Sequence, residues 1–279
     1  MPPARKALTG LNISVMQSVS VVIITYNECL NIERCIRSVK GVADEIIVVD
    51  SLSDDNTVQL AEKEGARVFT KEFQGYIEQK NYAISKASND YILSLDADEA
   101  LSKELHSELL RIKSDLRYDG YIFNRRNNYC GQWINHSNWY PDKKLRLFNR
   151  KKGKWGGINP HDRWIMDSGT STCRIKADIL HWVISSYEEH IEKVNRFTTI
   201  AAQEYHKLGK RTSVVQMITH GVWRFFKAYF IKLGVLDGYN GFVISALSAY
   251  TSFLKYMKLR SLNNESSVVV RPSTTENRK

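Results

Sequence analysis

The chain has 279 residues, 43% of them hydrophobic and 25% charged, enough to bury one substantial core or two small ones, which excludes a disordered or fibrous protein. Lysine and arginine outnumber aspartate and glutamate by 40 to 30, a net charge of +10, so an anionic partner is expected: nucleic acid, a phosphorylated small molecule or an acidic membrane surface. The four cysteines, Cys29, Cys35, Cys130 and Cys173, contain no CxxC pair, which argues against a zinc site or a disulfide framework and for reduced thiols in the cytosol.

Residues 1–18 are polar, lack the apolar stretch of a secretory signal and read as a flexible tail. Short β-branched runs follow at Ser20–Thr25, Glu45–Asp50, Ala66–Thr70 and Tyr91–Asp96, which the pattern assigns to buried strands. Helical periodicity fills the gaps, over Asn31–Val39, Thr57–Glu64 and Tyr76–Ala87. Strict alternation of strand and helix predicts an α/β fold with a mostly parallel sheet flanked by helices. Beyond Ala100 a helix over Ser102–Lys113 leads to strands near Gly120–Arg125, Lys144–Phe148 and Cys173–Leu180. Ser186-x-x-Glu189 has the form of a capping box and opens an amphipathic helix that ends at Gly209. No window reaches about 18 uninterrupted apolar residues, so no spanning helix is expected.

In an open parallel sheet, ligands bind beyond the carboxyl ends of the strands. Three of these strands end in polar clusters: Thr25-Tyr-Asn-Glu28, Asp50-Ser-Leu-Ser-Asp-Asp55 and Asp96-Ala-Asp98-Glu99. The Asp54, Asp55 pair reads equally well as a helix cap. Asp96 and Asp98, followed by Glu99, make a dense negative site that a cation would relieve, and hard oxygen ligands favour Mg²⁺ or Mn²⁺. Such an ion keeps positions open for phosphate oxygens, which links the acidic edge to the basic remainder of the chain.

Val21-Val-Ile-Ile-Thr-Tyr-Asn-Glu28, Asp50-Ser-Leu-Ser-Asp54, Gln79-Lys-Asn81 and Asp96-Ala-Asp98, in this order and spacing, resemble the amino-terminal half of family 2 glycosyltransferases, which have the Rossmann-like GT-A fold. Arg146-Leu-Phe148, Asn159-Pro-His-Asp162, His181 and Lys193-x-x-Arg196 resemble the subgroup of lipopolysaccharide core β-1,4-glucosyltransferases, and the likeness runs over residues 19–258. The resemblance implies that Thr25, Tyr26, Asn27 and Glu28 line a nucleobase pocket, that Asp50, with Ser51 beside it, binds the nucleoside, and that Lys80 approaches the donor. It also implies that Asp96 and Asp98 hold the metal on a UDP diphosphate through a DXD motif, Asp98 the more directly. His181 is a candidate for the metal or the diphosphate, with a packed core histidine as the equal alternative.

Attack on an anomeric carbon needs a base for the acceptor hydroxyl. Asp162 is the candidate, where the subgroup more often has glutamate, and Glu99 is the substitute. His161 is a candidate to orient the base or touch the donor, with a packed or hydrogen-bonded core histidine as the commoner alternative. Leu52 departs from the glycine that relatives carry, so the turn around Ser51 and Ser53 is expected to be built differently.

Residues 19–209 are therefore expected to form the catalytic domain, residues 210–262 a basic, aromatic helical module, and residues 263–279 a disordered tail. The module interleaves aromatics and cations in Trp223–Lys232, which fits peripheral contact with an anionic membrane, or packing on the catalytic domain or a second subunit. Seven cations between Lys143 and Lys154 read as a solvated face able to draw in an anionic acceptor.

The expected function is an inverting, metal-dependent hexosyltransferase that moves glucose from a UDP-sugar to a lipid-linked or lipopolysaccharide-core acceptor, at the cytoplasmic face of the inner membrane. A homo-oligomer is compatible with the sequence. The alternatives are a non-catalytic relative and a basic nucleic-acid-binding protein, but no helix-turn-helix, zinc or RNP signature supports the latter. No Gly-x-Gly-x-x-Gly follows the first strand, which sets aside a dinucleotide oxidoreductase.

Overall fold

The structure, a computed structural model, describes residues 17–158 and 161–269. It separates into two compact units, Met1–Asn124 with Lys143–Leu180, and Arg125–Asp142 with His181–Lys279.

The first unit begins with β1 (Val19–Thr25), α1 (Ile32–Val39), β2 (Glu45–Asp50), α2 (Thr57–Lys63), β3 (Arg67–Thr70), α3 (Tyr76–Ser85) and β4 (Tyr91–Asp96). These are the expected elements, to within a residue or two at their ends. The strands pair in parallel in the order β3-β2-β1-β4. Successive side chains of β1 point to opposite faces, so Val21 and Ile23 meet Ile32, Ile36 and Val39 of α1, whereas Val22 joins Ala83 of α3. Both faces are buried, which is why these strands read as continuous apolar runs. The register sets Thr25 opposite Asp50 and Ile24 opposite Asp96, and so brings the three polar strand ends to one edge.

Past β4 come β5 (Glu99–Leu101), α4 (Lys103–Lys113), β6 (Gly120–Tyr129), β7 (Gln132–Trp133), β8 (Asp142–Asn149), β9 (Gly153–Ile158), β10 (His161–Met166) and β11 (Thr172–Ile184). β8 lies antiparallel to β4, and the sheet continues β8-β6-β11-β5. The hairpin of β9 and β10 escapes the sequence pattern. It pairs Trp155 with Trp164, and the Trp164 ring stacks on Phe148 with centroids 3.7 Å apart. Gly153 is required there, since a Cβ would lie 2.3 Å from the Ile165 carbonyl oxygen.

In the second unit α5 (Tyr187–Lys207), α6 (Val214–Phe226) and α7 (Gly238–Val269) form a helical layer. The division into units does not follow residue 209, because the apolar stripe of α5 through Val194, Thr198 and Ala202 packs with α7. The Lys258 ammonium, which donates to the Thr198 and Thr199 hydroxyls, ties the same two helices. α7 runs on to Val269, past the expected start of a disordered tail at 263; residues 1–16 and 270–279 of the expected tails lie outside the described residues. The expected capping box at Ser186 is half formed: Ser186 Oγ accepts from Glu189 N, but the Glu189 carboxylate turns to Ser185. A complete box sits instead at Ser213 and Gln216, at the start of α6.

His190 of α5 is buried against Tyr129, whose hydroxyl lies 2.9 Å from His190 Nδ1. Burial, helped by the Lys193 charge, lowers its pKa from 6.5 to about 4. The unfolded chain thus binds this proton more readily, so stability is full above about pH 6.5 and drains away as pH falls towards 4, by roughly 3 kcal/mol. The stability advantage of wild type over His190→Gln, measured by urea unfolding, is expected to shrink by about 2–3 kcal/mol between neutral pH and pH ~4.5. A pH-independent difference would contradict this.

Candidate active site

The polar edge of the first unit is stitched together by its own loops. Asn27, at φ 53°, donates its backbone N–H to Ser53 Oγ at 2.8 Å and accepts from Asp54 N through its side chain. Glu28 N donates to Thr57 Oγ1, and Cys29 N to Asp55, so Asp55 serves both the cap region of α2 and the loop after β1. Asp50 is buried, and its two oxygens accept from Ser53 N and Ser53 Oγ. Ser51 N donates to the Thr25 carbonyl, and Tyr26 projects into solvent. These hydrogen bonds link the loop after β1 to the loop after β2. The Thr25 hydroxyl is buried without a protein partner, as is Oε1 of the neighbouring Gln79.

Leu52 occupies the left-handed region at φ 66° and is exposed, so the turn keeps the glycine-like conformation with a leucine in it. An L-residue pays about 1–2 kcal/mol there, of which glycine's greater unfolded freedom would return ~0.5–1. Leu52→Gly is accordingly expected to stabilise the protein by about 0.5–1 kcal/mol in urea unfolding. A fall in stability would mean that Leu52 packs against something in solution.

Three successive residues of α3 organise the centre. Gln79 donates to Ser51 Oγ and to the Lys71 carbonyl. Asn81 brackets the backbone of Trp155, donating to its carbonyl and accepting its N–H, and so fixes the β9–β10 hairpin against α3. Between them Lys80, almost wholly buried, places its ammonium 2.7 Å from Asp162 Oδ2, 3.1 Å from Asp96 Oδ1 and 4.6 Å over the Trp155 ring. Residues 82 positions apart thereby share one ion pair.

Arg146 completes the cluster. It is 3% exposed, and Nη2 lies 2.8 Å from both Asp96 Oδ2 and Glu99 Oε1. Burial opposes its charge, but Asp96 and Glu99 outweigh that and hold the guanidinium pKa well above its ordinary value. Nε and Nη1 are buried without a protein acceptor. Arg146 is thus no part of the solvated face expected of Lys143–Lys154; its neighbours Leu145, Leu147 and Phe148 are the signal, since an arginine inside an apolar strand needs buried carboxylates. Arg150 is likewise committed, to the Ala87 carbonyl.

Glu99 is corrected as a substitute base. It is 0% exposed, one oxygen receives Arg146 and the other the Asp96 N–H, so it holds the turn after β4. His181 belongs to the second unit, buried, with Nδ1 2.6 Å from Asn127 Oδ1. Asn159 and Pro160 lie outside the described residues, as does the side chain of His161, which opens β10.

Among the described residues no group of three or more His, Cys, Asp or Glu side chains forms a ready-made metal cage. The donor set nonetheless fits a hard divalent ion. Asp96, Asp98, Glu99 and Asp162 outnumber Lys80 and Arg146, and one or two carboxylates completed by phosphate oxygens suit Mg²⁺ or Mn²⁺. Lys80 and Arg146 both lie against the Asp96 carboxylate.

The family described as Glycosyl transferase family 2 matches residues 20–170. An uncharacterized glycosyltransferase of Rickettsia felis is 36% identical over 275 residues, which covers 93% of this chain and 96% of that one. The lipopolysaccharide core biosynthesis glycosyltransferase LpsC of Rhizobium meliloti is 29% identical over 86% of this chain and 91% of its own length. Among solved structures, S. aureus TarS 1–349 in complex with UDP-GlcNAc aligns at a TM-score of 0.45 with 15% identity, over 90% of this chain and 92% of that one.

Proposed function

The chain belongs to glycosyl transferase family 2, and from that premise we propose that it is an inverting, metal-dependent hexosyltransferase that moves a sugar, glucose in the first instance, from a UDP-sugar to a lipid-linked or lipopolysaccharide-core acceptor. The observation that carries this is the buried network of Lys80, Arg146, Asp96, Glu99 and Asp162 at the carboxyl edge of the parallel strands. The likeness to LpsC supports the acceptor class, and the cytoplasmic face of the inner membrane is the place of action it suggests.

In this reading Thr25, Tyr26, Asn27 and Glu28 receive the nucleobase, and the buried Thr25 hydroxyl finds its partner there. Asp50 holds the loop that meets the nucleoside. Asp162 takes the proton from the acceptor hydroxyl as its oxygen bonds to the anomeric carbon, while the bond to the diphosphate breaks and its electron pair leaves with UDP. Lys80 keeps the Asp162 carboxylate in place and puts positive charge beside it. Asp98 and Asp96 would hold Mg²⁺ or Mn²⁺, which when bound would neutralise charge developing on the diphosphate. Lys80 and Arg146 add to that field and orient Asp96.

Asp98→Asn tests the metal assignment. The variant is expected to lose Mn²⁺-dependent UDP affinity by at least about tenfold, with transfer falling further. Unchanged metal-dependent affinity and transfer would remove Asp98 from that role.

A further inference from the structure

Within the second unit, α6 is apolar on two sides. Met217 and Gly221 are buried, and at Gly221 a Cβ would come within 3.4 Å of the Ala249 carbonyl oxygen of α7. The opposite side exposes Val214, Ile218 and Val222 at helical spacing, with Val215, Trp223 and Phe226 beside them; Val222 is 65% and Trp223 56% exposed. Ring contacts of Phe226 with Trp223 and Phe230 carry the apolar surface on, and Ile231, Leu236 and Tyr239, the last 71% exposed, also face solvent. A helix packed on one side ordinarily turns charge to water on the other, and a contiguous apolar patch of this extent marks an interaction surface.

Cations rim the patch. Lys210, Arg211, Arg224, Lys227 and Lys232 are exposed, and the one acidic residue between Lys210 and Asn264 is Asp237. Asp237 is buried, where it accepts the backbone N–H groups of Asn135 and His136. At the amino-terminal end of α6, Tyr205, Lys210, Arg211, Gln216, His220 and Tyr256 line a cleft of about 240 Å³, with the Lys210 ammonium 4.1 Å over the Tyr205 ring. No single helix among the described residues is long and apolar enough to cross a membrane, and the stretches Val214–Ile231 and Gly234–Asn264 are bent by 71° at their break.

We propose that this face seats the second unit on an anionic phospholipid bilayer, with α6 lying in the plane of the interface, its exposed apolar side in the acyl boundary and its cations, including the Lys210–Arg211 cleft, on lipid phosphates. Charge complementarity selects this occupant: a second copy would set the same cations against each other, whereas each basic residue near an anionic surface strengthens binding on the order of fivefold. The choice of membrane rests on the functional reading above; the surface itself does not.

Vesicle flotation of the full-length protein needs neither donor nor acceptor, so its failure is distinct from failure of the catalytic assignment. Wild type is expected to float with phosphatidylglycerol-containing vesicles, to stay behind with pure phosphatidylcholine, and to be released by high salt. Ile218→Glu combined with Trp223→Glu, and separately Lys210→Glu with Arg211→Glu, are each expected to weaken vesicle affinity by at least about tenfold. All four positions are exposed, and unchanged circular dichroism and thermal unfolding would show that the variants fold. The proposal is overturned if wild type ignores anionic vesicles, if folded variants float as it does, or if sedimentation finds a dimer that Ile218→Glu with Trp223→Glu dissociates while vesicles are ignored.

Discussion

Asp162→Asn is expected to lower sugar transfer by about a thousandfold while UDP binding persists. The asparagine keeps the size of the side chain and can still accept from Lys80, which retains Asp96 at 3.1 Å, so neither the β9–β10 hairpin nor the ammonium loses its anchor. What disappears is the ability to take a proton from the acceptor. Steady-state transfer assays with an unhydrolysed donor, run beside UDP titrations, separate the two effects. A rate within about tenfold of wild type would place the base on another residue.

Arg146→Met is expected to cost about 3–5 kcal/mol of stability, because it leaves the fully buried Glu99 carboxylate with no guanidinium, whereas Asp96, partly exposed, keeps Lys80 at 3.1 Å. The penalty is that of a stranded buried charge, so removing one of the carboxylates should return much of it. Urea unfolding of Arg146→Met and of Arg146→Met with Glu99→Gln measures this directly: the double variant should be the more stable of the two. If the single variant loses less than about 1 kcal/mol, the site is wetter than its burial indicates and the cation serves the ligand alone.

The amino-terminal half of the site was legible in the sequence because parallel strands buried on both faces leave continuous β-branched runs, and their polar ends stand out. Thr25, Asp50 and Asp96 end neighbouring parallel strands, and the register sets these strand ends on one edge. The carboxyl-terminal half was harder. β9 is short and rich in glycine, and only the packing of Trp155, with Trp164 of β10, on Phe148 shows the hairpin as part of the core. Asp162 was found by resemblance, but its partner Lys80 sits on a distant helix, and no local pattern announces an ion pair across such a separation. Arg146 sits in a run of cations that disguises its burial, and Glu99, a carboxylate beside Asp98 in the sequence, is committed by burial to Arg146 and the Asp96 N–H. In both cases the charge was visible and the burial was not. Leu52 runs the other way: a residue that suggests a remodelled turn adopts the left-handed conformation that glycine favours.

The most direct measurement is a thermal-shift titration of the purified protein with UDP, GDP, NAD and a short oligonucleotide, each with and without Mn²⁺, since a ligand of the native state raises its apparent stability. A rise in melting temperature specific to UDP and dependent on Mn²⁺ is the expected outcome, because Asp98 and Asp96 then hold the ion that the diphosphate completes. A rise with the oligonucleotide and none with UDP would contradict it, and would mean that the basic surface, rather than the acidic edge of the sheet, carries the function.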